Sequence, residues 1–317
     1  MKVPSCFARA PKISDGAGAE SAQSALSRRR AWVLVVAAAS AMLGFVALGQ
    51  RARSIGGGEL FVPEDVHTAR EVDTRNEGTP MWTNAPSFER DVFTFARLRY
   101  EKDPARGRSR ARGGWTTDLP DSDLNLSYRL QQMTSIKVDP NGRLLHASDP
   151  ELPNYPFLFL SSPGNLYLAD EEVVALRRYL LNGGFLLMDD FHGEEEWKNC
   201  ESVMKQVFPD RDFFELPLEH PLYHGVFEIR EKGQNAAVNL GIRSEFTGVT
   251  WEREDGQEVH HRGIADDKGR LMVLTLHNTD TADGWEREGE SDYYFHNFSE
   301  KIAYPLGVNI IYYVMTH

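Results

Sequence analysis

Between residues 91 and 317 the chain alternates short continuous apolar runs with stretches whose apolar residues recur at helical spacing. The runs 92–98, 157–161, 185–188 and 271–277 predict strands. The middle two show no polar alternation, the texture of strands covered on both faces of a parallel sheet. Helices are predicted over 121–133, 170–181, 194–207 and 303–315. In the first, Leu124, Tyr128 and Leu130 follow helical spacing. In the second, Val173, Leu176, Tyr179 and Leu180 share a face. Asp170, Glu171 and Glu172 suit its positive end, Arg177 and Arg178 its negative end, and Asn182-Gly183-Gly184 stops it. Phe208-Pro209 ends the third helix, and Pro305 falls in the first turn of the last. Strand, helix, strand and helix in succession from 157 to 207 imply a right-handed crossover. The expected fold is an open, mostly parallel three-layer α/β sheet, preceded by one N-terminal hydrophobic helix. The charged stretch 228–270 reads as loops and an antiparallel excursion rather than a second domain.

Residues 31–50 are the long uncharged apolar run, AWVLVVAAASAMLGFVALGQ. Twenty residues rising about 1.5 Å each span about 30 Å, the thickness of a bilayer core. Arg28, Arg29 and Arg30 abut it, so the positive-inside rule keeps residues 1–30 in the cytoplasm and exports the body. Two readings stand side by side. One is an uncleaved transmembrane signal anchor; the other is a signal peptide cut before Gln50, with Ala47 and Gly49 at the small-residue positions. Ser27 and the three arginines also resemble a twin-arginine translocation signal, with Ala31 and Trp32 in place of the usual Phe-Leu. The expected location is the inner membrane facing the periplasm, or the periplasm itself. Residues 1–30 read as a disordered basic tail, and 51–90, with Gly56-Gly57-Gly58, Pro63, Pro80 and Pro86, as a linker or arm.

Charge sharpens this division. The net charge is −12, yet residues 1–53 carry eight basic against two acidic side chains, leaving 27 against 45 in the remainder. So acidic a body repels phosphate backbones, which argues against a nucleic-acid partner. Cys6 and Cys200 lie on opposite sides of the apolar run, so an intrachain disulfide is not expected. Two cysteines also exclude a multi-cysteine zinc cage. Cys200 is expected to be buried and inert.

Several strings, in order, resemble the bacterial family called domain of unknown function 4159. They are Asp91-Val-Phe-Thr-Phe-Ala-Arg-Leu-Arg-Tyr100, Gly114-Trp115 followed by Asn125-Leu126, and Tyr155-Pro156-Phe157. Then come Tyr179-Leu-Leu-Asn-Gly-Gly-Phe-Leu-Leu-Met-Asp-Asp190, Leu216-Pro217 with His220-Pro221-Leu222, and Gly307-Val308-Asn309. The resemblance covers roughly residues 91–317. It implies the class I glutamine-amidotransferase-like superfamily, a flavodoxin-like sheet. By analogy with related domains fused to membrane-anchored von Willebrand A-type proteins, it also implies a cell-envelope role. It supplies no reaction, because fold alone does not. An amidotransferase-type enzyme needs a cysteine on a tight strand-to-helix turn beside a histidine. Strand 185–188 instead runs into Asp189-Asp190-Phe191-His192-Gly193, and Cys200 falls inside the following helix, so no glutaminase activity is expected.

The residues left to carry chemistry are Asp189, Asp190 and His192, beyond the carboxyl end of a strand where open α/β sheets collect ligands. They can hold a sugar hydroxyl or a divalent cation, or cap the next helix; adjacent strand residues point to opposite faces, so one aspartate at most faces a given pocket. His220, on the turn His220-Pro221-Leu222-Tyr223-His224-Gly225, is a candidate acid–base partner for Asp189 or a loop anchor. Arg97 and Arg99 share a face, with Tyr100 following. Arg97 clamps an anion or pairs with Asp189; the pairing is the favoured expectation. Trp115 and Trp285 are candidate sugar-stacking platforms or loop anchors, and Arg106, Arg108, Arg110 and Arg112 form a basic loop that can touch anionic polymer. His260-His261 lies in a polar loop, and Asp280 is expected to cap a loop after strand 271–277. No cofactor is expected; a divalent metal at Asp189, Asp190 and His192 ranks behind capping and a hydroxyl ligand. The sequence reading is of an envelope protein that binds a glycan or protein partner. The alternative is a hydrolase or metal-dependent enzyme acting on a carbohydrate or cell-wall substrate.

Overall fold

The structure, a computed structural model, describes residues 53–54, 60–74, 78–88, 91–102 and 113–317. The 31–50 run and the arginines at 106–112 lie outside the described residues. Among the described residues no helix is long and apolar enough to cross a membrane.

A seven-stranded sheet organises the body. Its strands are β1 (Ala96–Arg99), β2 (Arg143–His146), β3 (Phe157–Ser161), β4 (Phe185–Asp189), β5 (Phe214–Glu215), β6 (His260–Ala265) and β7 (Leu271–His277). They lie in the order β2-β1-β3-β4-β7-β6-β5. The five strands from β2 to β7 pair in parallel, and β6 and β5 extend the sheet antiparallel at one edge. The mostly parallel sheet expected from the apolar runs is therefore present. Strand order reverses between β1 and β3, the point at which a crevice opens beyond the strand ends.

Helices pack on both faces: α1 (Asp121–Met133), α2 (Asp170–Leu181), α3 (Gly193–Val207), α4 (Val238–Thr247), α5 (Thr281–Glu286) and α6 (Tyr304–Thr316). A π-helical stretch, Phe295–Ala303, leads into α6. Alternation along the strands divides the core in two. Leu158, Leu160, Leu186 and Met188 meet Leu176 and Leu180 of α2 and Val203 and Met204 of α3. Phe157, Phe159, Phe185 and Leu187 meet Leu126 and Leu130 of α1 and Val308 and Ile311 of α6. Every residue of β3 and β4 is buried, which is why neither strand shows polar alternation.

Part of the expected arm lies along the body. Leu60, Val62, Val66, Ala69 and Val72 bury against Leu119, Leu124 and Leu144, and the Leu144 amide donates to the His67 carbonyl at 2.8 Å. The stretch 228–270 contains the antiparallel β6, as expected, and also helix α4.

Candidate functional site

The site grows from a repeated event at the sheet's carboxyl edge. β3, β4 and β7 are each followed at once by a non-glycine residue in the left-handed region: Ser162 (φ 56°), Asp190 (φ 60°) and Asn278 (φ 64°). Asp118, in the loop entering α1, is the fourth such residue among those described (φ 62°). Such backbone costs about 1–3 kcal/mol per residue and gathers at functional turns. Register explains why these side chains meet. Ser161 pairs with Asp189 across the parallel ladder, so the next residues, Ser162 and Asp190, emerge side by side. Ser162 Oγ donates to Asp190 Oδ2 at 2.7 Å, and the Asn278 amide oxygen accepts from Gly193 N at 2.8 Å. The three turns are thereby tied together.

The two adjacent aspartates diverge, Asp189 as the last residue of β4 and Asp190 on the left-handed turn that follows it. Asp189 is fully buried and points at α5, where Oδ2 accepts from the Ala282 amide at 2.7 Å; Oδ1 has no hydrogen-bond partner. Burial, reinforced by the charge of Asp190, pushes its carboxyl up to about 7. Asp190 points instead toward His192, whose Nε2 stands 3.6 Å from Asp190 Oδ1 and 3.4 Å from Glu252 Oε1. The His192 side chain is only 8% exposed. Both approaches miss hydrogen-bond geometry, and Nδ1 has no polar partner. Burial pulls this imidazole toward neutrality, but Asp190, Glu252 and Glu196 outweigh it and hold its pKa above the ordinary value. The His192 amide donates to Glu196 Oε2 and the Glu194 amide to Asp255, so Glu196 and Asp255, not Asp190, satisfy the first turn of α3. Gly193 has φ +75°, and a Cβ there would stand 2.6 Å from Asp255 Oδ1 and 2.7 Å from Arg253 Nε. The positive φ favours glycine here, and its lack of a Cβ leaves room for the Arg253 and Asp255 side chains over the start of α3.

Behind this group lie three more carboxylates. Asp118, Asp280 and Asp283 are buried, with oxygens within 4.8 Å of one another. Asp280 caps α5 by accepting from Asp283 N at 3.0 Å, Asp283 accepts from Val238 N at 2.6 Å, and Asp118 Oδ2 is without a partner. Burial and mutual repulsion drive all three well above the usual carboxylate range. A buried carboxylate group of this kind resolves its repulsion by taking up protons or by taking up a cation.

Other residues singled out in the sequence lie elsewhere. Arg97 does not pair with Asp189. It is fully buried and forks onto Asp123 of α1, with Nε 2.9 Å from Oδ2; its remaining donors go to Ser122 Oγ and the carbonyls of Trp115 and Thr117. The reason is topological: α1 crosses this end of β1, so Asp123 meets the guanidinium, while Asp189 is drawn to α5. Tyr100 donates to the Ser161 and Ser162 carbonyls at 3.0 and 2.7 Å, propping the β3 turn from beneath. Trp115 lies under the Arg99 guanidinium, 4.9 Å from its ring centre. Trp285 is fully buried in the core and offers no face to a sugar. His220 does not reach Asp189: its Nδ1 accepts from Leu222 N, and its ring lies 5.3 Å from that of Tyr313 in α6. His261 is buried in β6 rather than exposed in a loop, its Nδ1 2.8 Å from the Tyr223 hydroxyl. Cys200 is fully buried in α3 with Sγ 3.4 Å from Met188 Sδ, and burial pushes its thiol pKa far up.

Asp118, Ser162, Glu252 and Asp283 join the site without having been anticipated. Two carried a readable signal. Ser161-Ser162-Pro163-Gly164 follows a wholly apolar strand, and Asp280-Thr281-Ala282-Asp283 is an N-cap pattern at the end of β7. Glu252 is one of several acids in a charged loop and has no local mark.

A comparison with curated proteins finds no match to this chain. The family described as domain of unknown function (DUF4159) matches residues 94–315, from β1 nearly to the end of α6 and including every turn of the site. The chain belongs to the DUF4159 family.

Proposed function

We propose that this is an exported or membrane-tethered cell-envelope protein, whose glutamine-amidotransferase-like domain binds a hydroxyl-bearing envelope ligand instead of hydrolysing glutamine. The observation that carries the reading is the turn after β4. A thiol attacker would have to stand on this strand-to-helix turn; the turn displays Asp190 at φ 60° beside His192, and Cys200 is sealed in the core. Carboxylates accept from hydroxyls, and the acidic edge suits a neutral, polyhydroxyl glycan better than an anion. Export rests on the 31–50 apolar run behind three arginines. A second reading, a hydrolase or metal-dependent enzyme on a cell-wall carbohydrate, draws on the approach of His192 to Asp190 as an acid–base pair.

The test is a titration of the full chain, purified in detergent, with soluble, uncharged N-acetylglucosamine oligomers. Saturable binding that Asp190→Asn weakens at least tenfold is the expected result, and the same preparation releases no ammonia from glutamine. Equal binding by wild type and variant, or ammonia release abolished by Cys200→Ser, overturns the reading.

A further inference from the structure

We propose that Asp190, His192 and Glu252 together hold a divalent cation at the mouth of the carboxyl edge. The inference rests on the reading of this edge as a ligand site and deepens it: a cation held here would meet the hydroxyl oxygens of the bound ligand.

A buried histidine normally settles both ring nitrogens, and this protein supplies a comparison. His277, at the end of β7, has Nδ1 3.2 Å from Arg262 Nη1 and Nε2 3.1 Å from the Gly193 carbonyl. His192, also buried, has neither nitrogen in a hydrogen bond, and Nε2 is directed between two carboxylate oxygens. The spacing fits a shared ion. Ligand atoms about 2.1 Å from one cation lie about 3.0–3.4 Å from each other in octahedral or tetrahedral geometry. Nε2 is 3.4 Å from Glu252 Oε1, inside that range, and 3.6 Å from Asp190 Oδ1, just beyond it, and one ligand atom from each of the three residues falls within 4.8 Å of the others.

The surroundings are those of a supported ligand set. Asp190 Oδ2 is held by Ser162 Oγ at 2.7 Å, leaving Oδ1 toward the histidine, and the His192 amide is pinned by Glu196 at 2.8 Å. Glu252 reaches the surface, with its side chain 23% exposed, so an ion has a route in. One imidazole nitrogen with two carboxylates suits Mn²⁺ or Zn²⁺ better than the all-oxygen preference of Ca²⁺ or Mg²⁺.

The test uses the full chain in detergent, stripped of metal with a chelator and titrated with Mn²⁺ or Zn²⁺ alone by calorimetry. Pulsed electron paramagnetic resonance then examines the Mn²⁺-loaded protein. The expected result is saturable binding with a ¹⁴N coupling to the Mn²⁺. Glu252→Gln, a change at the exposed ligand, weakens binding at least about tenfold. His192→Gln weakens it similarly and removes the nitrogen coupling; melting curves verify that both variants are folded. No saturable binding to wild type, bound Mn²⁺ without nitrogen coupling, or affinities indifferent to both substitutions overturns the inference. The two proposals fail separately. Oligosaccharide binding that persists in chelator, with no metal uptake, removes the cation and leaves the ligand reading. His192-dependent metal uptake without oligosaccharide binding does the reverse.

Discussion

Arg97 and His192 lie near the same edge of one sheet, both buried, each facing carboxylates. Around Arg97 all the guanidinium donors are used: on Asp123, on Ser122, and on the carbonyls of Trp115 and Thr117, with the Phe159 ring 4.7 Å beneath. Around His192 carboxylates stand close, yet neither ring nitrogen is in a hydrogen bond, and Asp189 Oδ1 and Asp118 Oδ2 nearby are unbonded as well. A fully satisfied network fixes a structure, whereas an incompletely satisfied one raises the energy of the empty site and so favours whatever fills it. The contrast separates a cluster that builds the edge from one that waits at it.

The sharpest way to break this contrast is Arg97→Met. It leaves the Asp123 carboxylate buried without its cation, and chemical denaturation should show a loss of about 3–5 kcal/mol. A loss below about 1 kcal/mol would mean that the Arg97 network is not the structural one. Next comes Asp189→Asn, with the opposite sign. The Asp189 pKa is raised to about 7 in the folded state, so its contribution to stability is complete below about pH 4 and is lost as pH rises through 7. The variant should therefore be more stable than wild type at pH 8, by a margin on the order of a few kcal/mol. Its stability should also fall less steeply between pH 4 and 7, because Asp118, Asp280 and Asp283 keep a slope of the same sign. Identical pH profiles for the two proteins would remove the case for strain at this end of the sheet. The smallest effect belongs to Ser162→Ala, which deletes one hydrogen bond to Asp190 and should cost about 1 kcal/mol in thermal denaturation.

What was legible in the sequence follows from what is local. β3, β7, α1 and α2 fall where their apolar texture places them, and β4 and α3 differ by one residue at an end. β2 and β5 escaped because four and two residues among charged neighbours carry no readable period. α4 escaped because Val238–Thr247, with Gly241 inside and no acid in its first turn, has weak helical marks. In the site, Asp189, Asp190 and His192 were found because they sit at a strand end. Glu252 was not, since a loop 60 residues downstream reaches His192 only through the folded chain. The Arg97 expectation failed for the same reason: opposite charges in a sequence do not say which helix crosses which strand.

The left-handed turns at Ser162, Asp190 and Asn278 set a limit for anyone who engineers this protein. Glycine would relax each backbone. It would also delete the hydroxyl, the carboxylate and the amide that lace three strand ends together. At these three positions relief of strain and loss of bonding oppose each other, so a screen scored on melting temperature alone is blind to the dismantling of the edge.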